Sequence, residues 1–185
     1  MRLFVIRHPF TEFNLRRIQQ GHADSPLTPE GQEMAKKLGE SLQDRGIKKI
    51  YSSDLGRCMQ TSSIVNEYLH VSITPTQALR EQNLGDFNGK PMDLLKKAID
   101  VNDPDAIPPN GESLRQVQQR VLRFIKSLHD RDPALIVTHN GCFQGILSEV
   151  QNVDITSPMC ATTPLTIGVF EAESRKIKLV QLLTV

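Results

Sequence analysis

The segment Arg2-Leu3-Phe4-Val5-Ile6-Arg7-His8 decides the fold. Residues 3–6 are apolar and β-rich, without the polar alternation of a half-exposed strand. A short run of that kind fits a strand buried on both faces, the setting of a parallel sheet between helical layers. It stops at two side chains with chemistry of their own, Arg7 and His8.

The same pattern returns twice. Lys49-Ile50-Tyr51-Ser52 and Ala134-Leu135-Ile136-Val137-Thr138 read as further strands, and helical segments lie between. Thr28-Pro29-Glu30 opens one helix, with Thr28 as cap and Pro29 at the first helical position. Its apolar face carries Met34, Ala35, Leu38 and Leu42, and Gly46 is its expected end. Residues 54–69 read as a second helix. Ser113-Leu114-Arg115-Gln116 has the form of a capping box. The helix after it has the clearest periodicity in the chain, through Val117, Val121, Phe124, Ile125 and Leu128. Residues 142–150 read as helix, and Thr166 to Glu171 and Ile177 to Leu183 as two late strands. Strands alternating with helices predict an α/β protein: a three-layer α/β/α sandwich with a mainly parallel central sheet. The 185 residues suit a single domain spanning 1–185, with the Pro-rich stretch 102–111 as an internal loop.

Composition excludes several classes. The net charge of +1 offers no global field for nucleic acid or an anionic membrane, and the Lys and Arg pairs are scattered among acids. No apolar run reaches membrane-spanning length, and the N-terminal run is too short for a signal peptide. Cys58, Cys142 and Cys160 are widely spaced without a CxxC pair, so neither a zinc ribbon nor a disulfide framework is indicated. Buried thiols in a reducing compartment follow, and a cytoplasmic location is expected. Nothing in the sequence sets the oligomeric state.

In α/β sheets of this kind ligands sit beyond the carboxyl ends of the strands. Strand one ends in Arg7-His8. Strand two ends in Ser52-Ser53-Asp54, with Arg57 one turn into the next helix. The strand at 134–138 ends in His139-Asn140-Gly141. Two histidines and two arginines are thus directed to one rim. Arginine matches phosphate with a planar fork of donors, and a phosphoryl group in transfer needs such a clamp. A histidine ring nitrogen can attack phosphorus if its other nitrogen is held by an acceptor. A second, protonated histidine adds charge to the clamp. No HExxH or HxxxH spacing suggests a metal. His22, His70 and His129 read as surface residues.

These residues resemble the histidine phosphatase superfamily, the phosphoglycerate-mutase-like group. The resemblance rests on six blocks in order: Arg7-His8-Pro9-Phe10-Thr11-Glu12-Phe13-Asn14, then residues 20–31 beginning Gln20-Gly21-His22-Ala23-Asp24, then Ser52-Ser53-Asp54-Leu55-Gly56-Arg57. Leu79-Arg80-Glu81-Gln82, Pro109-Asn110-Gly111-Glu112-Ser113 and Thr138-His139-Asn140-Gly141 complete it. The resemblance implies that His8 is a nucleophile forming phosphohistidine. Arg7, Arg57 and His139 hold the phosphoryl oxygens, and Glu81 is the proton donor and then the base for water. Asn14, Gln20 and the Asn140 amide bind substrate. It implies a metal-independent phosphomonoesterase with no cofactor, acting on a small-molecule phosphate ester. Without the resemblance, Glu81 reads as a solvated loop carboxylate.

Three positions depart from the pattern. Pro9 replaces the usual glycine and removes an N–H. Gln144 stands where related chains often carry arginine, and residues 161–166 lack an asparagine. Two other readings compete with the phosphatase. A phosphoglycerate mutase would need more wall around its substrate than residues 82–110 provide. A non-catalytic phosphate-binding protein on a degenerate fold is the third, prompted by Pro9 and Gln144 and opposed by the intact Arg7, His8, Arg57, Glu81 and His139.

Overall fold

Alternating apolar strands and amphipathic helices can bury their faces only by layering, and the chain does so. The computed structural model describes residues 1–129, 131–173 and 176–185. In chain order the elements are β1 (Arg2–Arg7), α1 (Glu12–Leu15), β2 (Ile18–Gln19), α2 (Pro29–Leu42), β3 (Lys49–Ser53), α3 (Gly56–Leu69) and β4 (Ser72–Thr76). There follow β5 (Lys90–Pro91), α4 (Met92–Ala98), α5 (Leu114–Ser127), β6 (Ala134–Thr138), α6 (Asn140–Gln151), β7 (Thr166–Glu173) and β8 (Lys176–Thr184).

Among the described residues six strands form one sheet in the order β4-β3-β6-β1-β7-β8. β1 and β3 run parallel to β6, and β4 runs parallel to β3. β7 and β8 are added antiparallel at the other side. Period-two alternation divides the strand side chains between two cores. Leu3, Val5, Ala134 and Ile136 face α5 and α6, packing with Val117, Val121, Phe143 and Ile146. Phe4, Ile6, Leu135 and Val137 face α2 and α3, packing with Leu38, Leu42, Cys58 and Val65. Both faces of the parallel strands are therefore covered, which is why β1 and β6 show no polar alternation. This is the expected three-layer α/β/α sandwich with a mainly parallel sheet.

Local chemistry follows the sequence reading in detail. Thr28 accepts a hydrogen bond from the Gly31 amide and Pro29 opens α2. Ser113 and Gln116 form both arms of the capping box on α5. The expected end of α2 needs correction: the helix stops at Leu42, capped by Gln43, and Gly46 serves the following turn at φ +70°. Five elements escaped the sequence reading: α1, β2, β4, β5 and α4. β4 contains Pro75 but lies at the sheet edge, where a missing N–H is tolerated. α4 is one short helix capped by Pro91, and the β2–β5 ribbon anchors it over the rim.

Candidate active site

Because β1, β6 and β3 are parallel neighbours, their carboxyl ends open on one rim. His8 follows β1, His139 follows β6, and Arg57 lies in the first turn of α3 after β3. All three are buried. The two imidazole rings meet edge to face, with centroids 5.2 Å apart.

His8 is held in one orientation. Its Nδ1–H donates to the Pro9 carbonyl at 2.8 Å, and its Nε2 accepts from the Arg57 Nε–H at 3.2 Å. The first contact fixes the tautomer and leaves a lone pair on Nε2. Position 9 therefore contributes through its carbonyl, which proline retains. Burial, and then the Arg57 charge, push the His8 pKa well below its ordinary value, outweighing the Pro9 hydrogen bond. These surroundings favour the neutral ring.

Arg57 is fully buried, is held by several acceptors and still lines the cavity. Its guanidinium donates to the carbonyls of Gly21 (2.8 Å) and Ala23 (3.0 Å) and to Asp24 Oδ1 (3.2 Å). Gly21 sits at φ +51°, a conformation that favours glycine, and a Cβ there would press on the Asn88 side chain. Arg7 donates to Asn140 Oδ1 (2.9 Å) and the Thr162 carbonyl (3.2 Å). Its Nε is buried with no partner among the described residues, and the side chain lines the cavity. A buried donor of that kind suits an anionic ligand.

His139 caps α6 and hydrogen-bonds through Nε2 to Ser53 Oγ at 2.7 Å, with Cys58 Sγ at 3.4 Å. The expected charge on His139 has to form against its surroundings. Burial, followed by the charges of Arg57 and His8, holds its pKa well below the ordinary value. The pocket itself favours the neutral ring, so a charge there requires an anion to offset Arg57.

Glu81 stands on the irregular segment between β4 and β5. Its carboxylate accepts from the amides of Gln82 (2.9 Å) and Gly141 (3.3 Å). Gly141 permits this approach, since a Cβ at that position would lie 2.5 Å from Glu81 Oε1. Asn14 Oδ1 is occupied by the Thr11 amide and hydroxyl, which close the cap of α1. Gln20 is buried beside Ser25. Arg7, His8, Asn14, Gln20, Arg57, Glu81, Asn140 and Gln144 all line one cavity of about 830 Å³. The structure thus brings seven of the eight expected residues to this cavity, with His139 packed directly behind His8. The wall comes from residues 14–21 and from 82–101, including Ile18, Leu84, Met92 and Lys96.

Two residues of this region were missed. Asp24 supplies the ion pair to Arg57 at 3.2 Å. His22, expected at the surface, is half-buried, and its Nε2 lies 3.0 Å from the Glu81 carbonyl. His70 and His129 are exposed as expected, and the three cysteines are buried and free. No helix among the described residues is long and apolar enough to cross a membrane.

The depressed histidines make stability pH-dependent. An unfolded chain takes up protons on His8 and His139 as pH falls through about 6.5, and the folded chain does not. Unfolding free energy therefore falls with decreasing pH. Between pH 7.5 and 5.5 the expected loss for the pair is on the order of 1 to 3 kcal/mol. Urea unfolding in phosphate-free buffer at the two pH values measures it, and removing both imidazoles should abolish most of the difference. An unchanged midpoint in the wild-type chain contradicts the two buried neutral rings.

A doubly covered parallel sheet with a histidine–arginine cluster at its carboxyl rim defines the class: an α/β protein of the histidine phosphatase type. The chain belongs to the histidine phosphatase superfamily (branch 1), whose family profile matches residues 3–183. It is 32% identical over 153 residues to the uncharacterized phosphatase PhoE of Bacillus subtilis, covering 81% of this chain and 77% of that protein. It is likewise 32% identical over 155 residues to the probable phosphoglycerate mutase GpmB of Salmonella arizonae, covering 77% of this chain and 72% of that one. The structure of the α-ribazole phosphatase from Shigella flexneri superposes with a TM-score of 0.85 at 28% identity, over 100% of this chain and 96% of that chain.

Proposed function

We propose that this protein hydrolyses a small phosphomonoester through a phosphohistidine on His8. One observation carries the reading above the others: Pro9 fixes the His8 tautomer while Nε2 faces the cavity cluster beside Arg57. The lone pair on Nε2 attacks phosphorus in line, and the bond to the ester oxygen breaks. Arg57 and Arg7 stabilise the charge on the phosphoryl oxygens. The arriving anion offsets Arg57, so His139 can take a proton and join the clamp. Asn14, Gln20 and the Asn140 amide add polar contacts to the bound group. Glu81 gives its proton to the departing alkoxide. Water then attacks the phosphohistidine, Glu81 recovers a proton from it, and inorganic phosphate leaves with His8 neutral again.

The guanidinium groups supply the positive charge this chemistry needs, so the reaction is proposed to be metal-independent. Turnover of para-nitrophenyl phosphate in excess EDTA tests that, and loss of activity restored by a divalent ion overturns it. Water as acceptor is tested with 3-phosphoglycerate. Release of inorganic phosphate supports the phosphatase, whereas formation of 2-phosphoglycerate establishes the mutase reading that likeness to GpmB supports.

The role of Glu81 has its own signature. Replacing Glu81 with Gln is expected to lower kcat/KM by about 10²-fold on an alkyl phosphate. On an aryl phosphate, whose phenolate leaves with less proton help, the expected loss is about tenfold at most. Equal losses on the two substrates would remove Glu81 from the role of acid.

A further inference from the structure

We propose that residues Gly21–Asp24 form a clamp that sets Glu81 against the phosphoryl-binding Arg57, with His22 as the positioning residue for Glu81. The inference rests on Glu81 being the proton donor. The segment grips both partners at once. The Gly21 carbonyl, the Ala23 carbonyl and Asp24 Oδ1 all accept from the Arg57 guanidinium, at 2.8 to 3.2 Å. Between these acceptors the His22 ring reaches the other way and donates through Nε2 to the Glu81 carbonyl at 3.0 Å. Its own amide donates to Asn88 Oδ1 at 2.9 Å, and that oxygen also accepts from the Leu84 amide at 3.0 Å. Asn88 thus staples the clamp to the segment that follows Glu81.

Arg120 supports the same backbone and shares the Glu81 carbonyl with His22. It donates to the carbonyls of Ala78 (3.0 Å), Arg80 (2.9 Å) and, at greater length, Glu81 (3.4 Å). Glu81 lies outside every helix and strand, so these contacts replace the rigidity a regular element would give. A carboxyl acting in proton transfer must hold hydrogen-bond distance to the leaving oxygen, and a shift of about 1 Å has large effects on rate. The phosphorus position is set by Arg57, and the carboxyl position by residue 81. His22 is the side chain that ties the two through a single four-residue segment.

A merely structural hydrogen bond would alter the amount of folded enzyme and leave its substrate preference unchanged. A positioning role changes the dependence on the leaving group. The test measures kcat/KM for para-nitrophenyl phosphate and for an alkyl phosphate on the same sample, so that incomplete folding cancels in the ratio. In His22→Ala the aryl-to-alkyl ratio is expected to rise about tenfold. His22→Gln, which keeps an N–H donor, is expected to bring the ratio back toward wild type. Should the alanine variant not fold, Asn88→Ser loosens the same clamp and is read by the same ratio. An unchanged ratio in His22→Ala, with a raised ratio in Glu81→Gln, overturns the clamp and leaves the acid in place. An unchanged ratio in Glu81→Gln overturns the reading of Glu81 itself, and the clamp with it.

Discussion

Replacing His8 with alanine is expected to lower kcat on para-nitrophenyl phosphate by at least about 10⁴-fold, to the level of the assay blank. The expectation follows from what the ring does. Its Nε2 lone pair accepts from the Arg57 Nε–H at 3.2 Å, a hydrogen bond that the proposed attack on phosphorus exchanges for the new N–P bond. Alanine removes the atom proposed to bond to phosphorus and leaves Arg7 and Arg57, the proposed cradle, so phosphate should still bind to the variant. Binding without turnover in His8→Ala, with turnover in the wild-type chain under EDTA, distinguishes a phosphohistidine enzyme from a protein that only binds phosphate. Wild-type enzyme quenched in alkaline detergent should carry a phosphoryl group that is stable to alkali and labile to acid, and the variant should carry none. Residual kcat above about one per cent of wild type would mean that water attacks directly and that His8 is not the nucleophile.

The variant also separates chemistry from stability. A buried neutral imidazole lowers the stability of the fold as pH falls, because the unfolded chain takes the proton instead. His8→Ala should therefore be least destabilised relative to wild type at pH 5.5 and most at pH 7.5. Loss of activity at both pH values, against a stability difference that narrows in acid, cannot be attributed to unfolding.

The sequence disclosed the parts of this site that follow from periodicity and strand ends. β1 and β6 were legible because both of their faces are covered, which erases polar alternation. α5 was legible because its capping box and its apolar stripe agree. Arg7, His8 and His139 follow as the residues just beyond those strands, and Arg57 as the first-turn residue after β3. Other parts depend on contacts between distant segments, which leave no local pattern. His22 reads as a surface histidine until the Glu81 carbonyl, 59 positions away, is brought to its ring. Asp24 is one acid among 21 until Arg57 is placed beside it. Glu81 needed the family resemblance for the same reason. β4 was hidden by Pro75, which argues against a strand everywhere except at an edge. What opposes a charge on His139 was hidden because sequence shows neighbours in order and says nothing of burial, the first cause of its lowered pKa.

Arg57 supports the second large effect, and it reverses the usual relation between burial and stability. Arg57→Met is expected to lower kcat/KM by at least about 10³-fold while costing about 2 kcal/mol of stability. The activity loss follows from removing the group that orients the His8 ring and is proposed to hold the phosphoryl oxygens. The stability cost is limited because two contributions oppose each other. The carbonyls of Gly21 and Ala23 lose their donor, which is unfavourable. A fully buried guanidinium no longer has to be desolvated, which is favourable, and methionine fills much of the same volume. Asp24 retains part of its exposure and can turn to water. A third readout ties the two effects together. Arg57 is, after burial, the main cause of the lowered His8 pKa, so the His8 ring should titrate at higher pH in the variant. Imidazole NMR signals followed from pH 8 to 5 report that directly. A variant that loses activity without moving the His8 titration would place Arg57 at the phosphoryl group alone. One that unfolds outright would show that Gly21–Asp24 cannot hold its course without the guanidinium it surrounds. The combined result, an inactive but folded enzyme with a more basic His8, is what a site built at some cost to the fold should give.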